Sequence, residues 1–168
     1  MFSNLKKLET LDLSKFNTHS VINMSQMFSN CAYLTSLHIS NFDTSSVTSM
    51  WGMFERCSTL RSIETKNFDT SSVTDMSSMF RYCNGLFSID LNNFNTGKVL
   101  DLSGMFANSP GIKSINLRNF DTREVVQLDS MFAGCYALED LDISKFNTSQ
   151  VISTTYMFFN CRSLFSID

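Results

Sequence analysis

The stretch FDTSSVTSMWGMFERC (Phe42 to Cys57) is followed by FDTSSVTDMSSMFRYC (Phe68 to Cys83), identical at eleven of sixteen positions and offset by 26 residues. That period governs the whole chain. Phe-Asx-Thr begins at Phe16, Phe42, Phe68, Phe94, Phe120 and Phe146, and Met-Phe recurs at Phe28, Phe54, Phe80, Phe106, Phe132 and Phe158. Valine keeps step at Val21, Val47, Val73, Val99, Val125 and Val151. The unit reads L-x-x-L-x-L-x-x-F-[DN]-T-x-x-V-x-x-M-x-x-M-F-x-x-C-x-x. A constant period without insertions means that each unit forms one coil, stacked so that equivalent residues fall in columns. The sequence therefore specifies a repeat solenoid.

Composition follows from the columns. The two Phe columns hold twelve of the sixteen phenylalanines, and a single proline leaves the amide donors free for ladders between coils. With 43% hydrophobic residues the chain can bury a core, and its net charge of −3 argues against a nucleic-acid partner, which would meet a basic face. No apolar run approaches the ~18 residues of a membrane span, and MFSNLKKLETLDLS lacks the basic start and apolar stretch of a signal peptide. Met1-Phe2-Ser3-Asn4 aligns with Met27-Phe28-Ser29-Asn30, and the last residues, SLFSID, align with Gly85 to Asp90. The expectation is one solenoid domain over 1–168, about six and a half repeats taken from a longer array.

Within a unit, LETLDLS suits a short strand with Leu11 and Leu13 turned inward. Asx-Thr is turn chemistry, because the Asx side chain can accept the amide two residues on. Val-x-x-Met could open a helix or form a second short strand. SSMFRYC, after a serine, predicts a short helical turn, with Ser25, Trp51, Ser77, Ser103, Asp129 and Thr155 in the N-cap column. Parallel strands stacked ~4.8 Å apart then give a rod of roughly 30 Å.

The strand signature joined to F-[DN]-T-x-x-V-x-x-M-x-x-M-F-x-x-C resembles the BspA-like leucine-rich-repeat surface proteins, above all the subgroup of mycoplasma lipoproteins and gut-bacterial surface proteins. The match spans the chain, with Ser109 in place of cysteine, Leu102, Leu128 and Thr154 in place of methionine, and Thr65 in place of leucine. The resemblance implies a leucine-rich-repeat-like right-handed coil of 26-residue units, each with short parallel strands and one helical turn. It also implies a cell-surface or secreted binding protein, commonly an adhesin, and carries over no catalytic residue.

Several columns invite a chemical reading. The five cysteines, Cys31, Cys57, Cys83, Cys135 and Cys161, form no C-x-x-C pair and no zinc spacing. An odd count and the exchange for Ser109 favour small buried thiols over disulfides. The column Asp12, His38, Glu64, Asp90, Asn116, Asp142, Asp168 could be a cation-binding edge, but it lacks a calcium loop and reads better as a solvated face. The threonine column from Thr18 to Thr148 lacks the T-x-T pairing of an ice-binding face and reads as turn chemistry. His19 and His38 do not recur, and no nucleophile elbow, phosphate loop or zinc helix is present. These readings imply no enzyme, no cofactor and no metal.

Specificity in such a chain falls to residues that break the columns. Trp51 replaces a potential cap, Tyr82 stands in a column otherwise of Asn, Arg and Gly, and Phe87 and Phe165 interrupt a polar column. Tyr33, Tyr136 and Phe159 do likewise, with Arg56 and Arg81 nearby. Aromatics and arginine are the residue types enriched at binding hot spots. The candidate contact residues are Trp51, Tyr82, Phe87, Tyr136, Phe165, Arg56 and Arg81, for a protein or glycan ligand. The alternatives are a spacer whose rods associate end to end, and an intracellular scaffold that the free thiols would permit.

Overall fold

A computed structural model describes all residues from Met1 to Asp168. Its strands are short: β1 Thr10–Asp12, β2 Ser36–His38, β3 Ser88–Asp90, β4 Ser114–Asn116, β5 Asp140–Leu141 and β6 Ser166–Ile167. They pair in parallel as β1–β2, β3–β4 and β5–β6, each register shifted by one 26-residue unit, for example Leu11 opposite Leu37. The coil carrying Thr65 has no strand of its own. There a buried hydroxyl replaces the inward leucine and donates to the Asp90 carbonyl.

Val-x-x-Met is neither a helix start nor a full strand. Each coil contributes one bridging residue to a parallel ladder that runs Asn23, Ser49, Asp75, Asp101, Gln127, Ser153.

The expected helical turn does not form, and the hydrogen bonds show why. In the second coil's turn segment, alternate amides leave their own coil: Met50 N–H donates to Asp75, Gly52 to Ser77, Phe54 to Met79 and Arg56 to Arg81. The amides between them close i→i−3 turns, from Met53 to Met50, Glu55 to Gly52 and Cys57 to Phe54. An α-helix would consume every interior N–H within its own segment and leave none for the neighbour. The alternation requires left-handed backbone at two positions per coil. One column is Gln26, Gly52, Ser78, Gly104, Ser130 and Tyr156; the other includes Asn30, Arg56, Tyr82, Asn108, Gly134 and Asn160, all with φ between 54° and 73°. Trp51 and its column therefore cap no helix, and Tyr82 lies half-buried at a left-handed turn position rather than on a helical one.

The core is built from the same columns. Phe2, Phe28, Phe54, Phe80, Phe106, Phe132 and Phe158 form one unbroken pile, neighbouring rings 5.6–5.9 Å apart and at most 14° from parallel. Valine, methionine and the second Phe column close around it.

Polar side chains stitch coil to coil. Thr96 is buried; its hydroxyl donates to the Asp121 carbonyl and accepts the Asp121 amide, and Thr18, Thr70 and Thr122 repeat the pattern. The threonines are thus inter-coil staples more than turn residues. Three columns make Asx turns, as at Asp12 to Ser14, Asp69 to Ser71 and Asp75 to Ser77. The outward acidic column serves its own backbone in this way.

All five cysteines are free thiols. Cys57, Cys83 and Cys135 donate to the carbonyls of Phe28, Phe54 and Phe106 in the preceding coil. Ser109 makes the same bond to Phe80, which is why serine is accepted there. Burial pushes the Cys83 and Cys135 thiols up to about 12 and raises Cys57 further still.

Two outcomes test this architecture. Ser78→Gly relieves a left-handed serine and should raise stability by roughly 1 kcal/mol, where the same change inside a helix would lose a few tenths. Denaturant midpoints decide between them. The thiols set an alkaline limit. Below the unfolded thiol pKa of ~8.5 both states keep the proton, and above it only the unfolded chain releases it. Stability should fall by about 1.4 kcal/mol per pH unit for each strongly shifted thiol. A Cys83→Ser, Cys135→Ser double variant should lessen that fall, and an unchanged pH profile would show that the thiols titrate normally.

Candidate functional site

Through the first five turn segments the outward amides are taken up by the next coil, so what a partner can contact there is side chains. Three of the seven candidates meet. The Arg56 guanidinium lies 4.6 Å from the centre of the Tyr82 ring and that of Arg81 lies 5.2 Å from it. Columns bring Arg56 and Tyr82 one above the other on successive coils, and Arg81 precedes Tyr82 in the chain. Cation–π attraction to a shared ring offsets the repulsion between the two cations. Arg56 also approaches Glu55 at 3.8 Å. Arg81 makes no side-chain hydrogen bond or ion pair, and its Nε is buried without a partner.

Trp51 stands at the start of the same turn segment, 40% exposed, beside the left-handed Gly52. The remaining candidates lie apart from this cluster. Tyr136 stacks under Arg162 at 5.1 Å, and Phe87 and Phe165 are exposed along a column beside the strands, separated by Lys113 and Glu139.

Next to Arg81 the turn face opens into a groove of about 480 Å³. Its floor is small because the column Ser29, Glu55, Arg81, Ala107, Ala133, Phe159 drops to alanine for two coils between large residues. Arg81 forms one end. Tyr156 and Phe159 form the other, packed edge to face with centroids 5.5 Å apart and ring planes at 66°. Asn108, Asn160 and Ser130 supply polar groups between them. Gly134 keeps the floor low: a Cβ there would lie 2.7 Å from the Asn108 Oδ1 and 3.3 Å from its Cα. A smaller hollow of about 180 Å³ continues past Arg81 and Ser130 to Ser103, Gly104 and Asp129.

Of the groove residues only Arg81 and, as a column-breaker, Phe159 are singled out by the sequence. Tyr156 is the residue that column comparison should have found, since its column otherwise holds Gln, Gly and Ser. Surface ion pairs elsewhere, such as Arg118–Asp142 at 3.3 Å and Arg123–Asp121 at 2.7 Å, are exposed and structural in scale. Asp43 is held down to about 2 by the Ser45 hydroxyl first and by His19 second. No three His, Cys, Asp or Glu side chains come together as a metal site, and no helix is long and apolar enough to cross a membrane.

Two solved structures are similar to this chain. A leucine-rich repeat protein from Bacteroides ovatus is 17% identical with a TM-score of 0.48, covering 95% of this chain and 48% of its own. A leucine rich cell surface protein from Faecalibacterium prausnitzii is 20% identical with a TM-score of 0.36, covering 97% of this chain and 60% of its own. The chain thus spans about half of the first and three-fifths of the second. Among curated proteins none matches significantly. A family described as "Mycoplasma protein of unknown function, DUF285" matches residues 1–114 and 84–167. On that match, in agreement with the mycoplasma side of the sequence resemblance, the chain belongs to the DUF285 family.

Proposed function

We propose that this chain is a non-enzymatic cell-surface binding module of a bacterium, holding a protein or glycan through side chains that vary on an invariant scaffold. One observation carries the reading. Trp51, Tyr82, Tyr156 and Phe159 break columns that are otherwise small or polar, and all four come from the turn segments of their coils rather than from the core. Aromatic and arginine side chains held on a rigid backbone are economical contacts, since few rotamers freeze on binding. The turn segments suit them because their backbone bonds are made without help from these side chains.

The test is adhesion of the purified chain to extracellular-matrix proteins, glycans and whole cells, wild type beside Trp51→Ser. Serine is the residue at this position in three other coils, and no cap is at stake, so the fold should be unchanged. Saturable binding that weakens by about tenfold in the variant is expected for a hot-spot aromatic. Absence of binding across the panel, with concentration-dependent assembly in light scattering, would replace this reading by that of a self-associating spacer.

A further inference from the structure

Resting on the reading above, we propose that Trp51, Glu55 and Gln26 form a subsite for a neutral pyranose, the ring of an uncharged glycan lying on the indole. The site is built on two turns of the second coil. Met53 N–H closes the first on the Met50 carbonyl, with Trp51 and the left-handed Gly52 between them. Cys57 N–H closes the second on Phe54, with Glu55 and the left-handed Arg56 between them. Gly52 leaves a space that its neighbours border: a Cβ there would lie 3.4 Å from the Glu55 Oε2 and 3.4 Å from the Gln26 Cγ. Glu55 thus reaches back along its own coil, and Gln26 across from the preceding one, to the turn where Trp51 stands 40% exposed. Coils lie on both sides of that turn, since Gln26 N–H donates to the Trp51 carbonyl and Gly52 N–H to that of Ser77.

Glu55 is the member that calls for a ligand. Its side chain is only 17% exposed and accepts no hydrogen bond within the chain, and its nearest cation, the Arg56 Nε, lies 3.8 Å from Oε1. A carboxylate largely withdrawn from water costs free energy unless other donors replace the water. Its oxygens are not sealed from solvent as the Arg81 Nε is, so a ligand's donors can reach them. Oε1 faces Arg56, and Oε2, beside Gly52, is left free.

The surroundings select the ligand's chemistry. An extended peptide adding itself as a strand needs free backbone donors, and here they are taken by the neighbouring coils. An amphipathic helix needs an apolar trough, and Trp51 is bordered in its column by Ser25 and Ser77. An ammonium group suits an indole, but it would meet Arg56 beside Glu55 and Arg81 next in the Glu55 column. An acidic sugar would meet the Glu55 carboxylate. A neutral pyranose meets neither obstacle. Its apolar C–H face covers the indole, and its hydroxyls donate to the Glu55 Oε2 and accept from the Gln26 amide.

Trp51 is the chain's single tryptophan, so its fluorescence reports this site alone. The experiment is a fluorescence titration of the whole chain with the methyl glycosides of glucose, galactose, mannose and N-acetylglucosamine, beside methyl glucuronide and choline. At least one neutral glycoside should change the emission saturably in the millimolar range, and bind about fivefold more tightly than either charged probe. Glu55→Ala, which installs the residue of Ala107 and Ala133 in the same column, should weaken that binding by about tenfold. Gly52→Ser, which installs the residue of Ser78 and Ser130, fills the space between Glu55 and Gln26 and should also weaken it. Both variants should keep a cooperative unfolding transition. An emission that no neutral glycoside changes, charged probes that bind as tightly, or indifference to Glu55→Ala would each overturn the proposal. Adhesion to a protein that is lost in Trp51→Ser would survive any of these outcomes, so the two readings fail separately.

Discussion

The direction of the amide bonds in the turn segment decides the rest of the structure. Every second N–H there points along the stack into the next coil, and that direction is available only if left-handed residues interrupt the segment at fixed places. A non-glycine residue in that conformation costs roughly 1–2 kcal/mol. Ten such residues are present, so the ladder must return more than it costs in every coil. It does so by holding the coils at strand spacing, which lets the phenylalanine rings meet face to face and leaves no room for water between valine and methionine columns. A helix in the same place would satisfy its own amides and set the neighbouring coil further away.

The staples follow from that spacing. A threonine hydroxyl reaches both the amide and the carbonyl of the residue below, and a thiol reaches the carbonyl of the coil before it. Neither bond needs a partner side chain, so a column can repeat one residue indefinitely. This explains why cysteine is exchanged for serine and for nothing larger at position 109, where the hydroxyl makes the same bond and also accepts the Cys83 amide.

The period, the inward columns, the Asx turns and the buried free thiols were legible in the sequence because each depends on a residue type at a fixed interval. The helical turn was misread for a physical reason. Apolar residues three and four apart, as Met27 and Phe28 are from Met24, bury one side of a chain of β-turns as well as one side of a helix. The distinguishing signal lay in other positions: Gly52, Gly104 and Gly134, with Asn30, Asn108 and Asn160, occupy two columns, and Gly and Asn are the residues that accept left-handed backbone most readily. The groove was harder to see, because it is made by what is missing. Ala107 and Ala133 look like ordinary small residues until the coil above them is known to carry Arg81 and the coil below Phe159.

That column logic bears on function as well. Stability alone would place glycine or asparagine at every left-handed position, as the coil with Gly104 and Asn108 does. Arg56, Tyr82 and Tyr156 stand there instead, two of them in the cation–π cluster and the third at the end of the groove. Arginine and tyrosine held in left-handed backbone, where glycine or asparagine would cost less, are the pattern of residues retained for contact at the expense of stability. The scaffold tolerates them because its backbone bonds are independent of what the side chain does. A repeat built in this way can vary its outward residues coil by coil without renegotiating its core, which is the property a surface binding module requires.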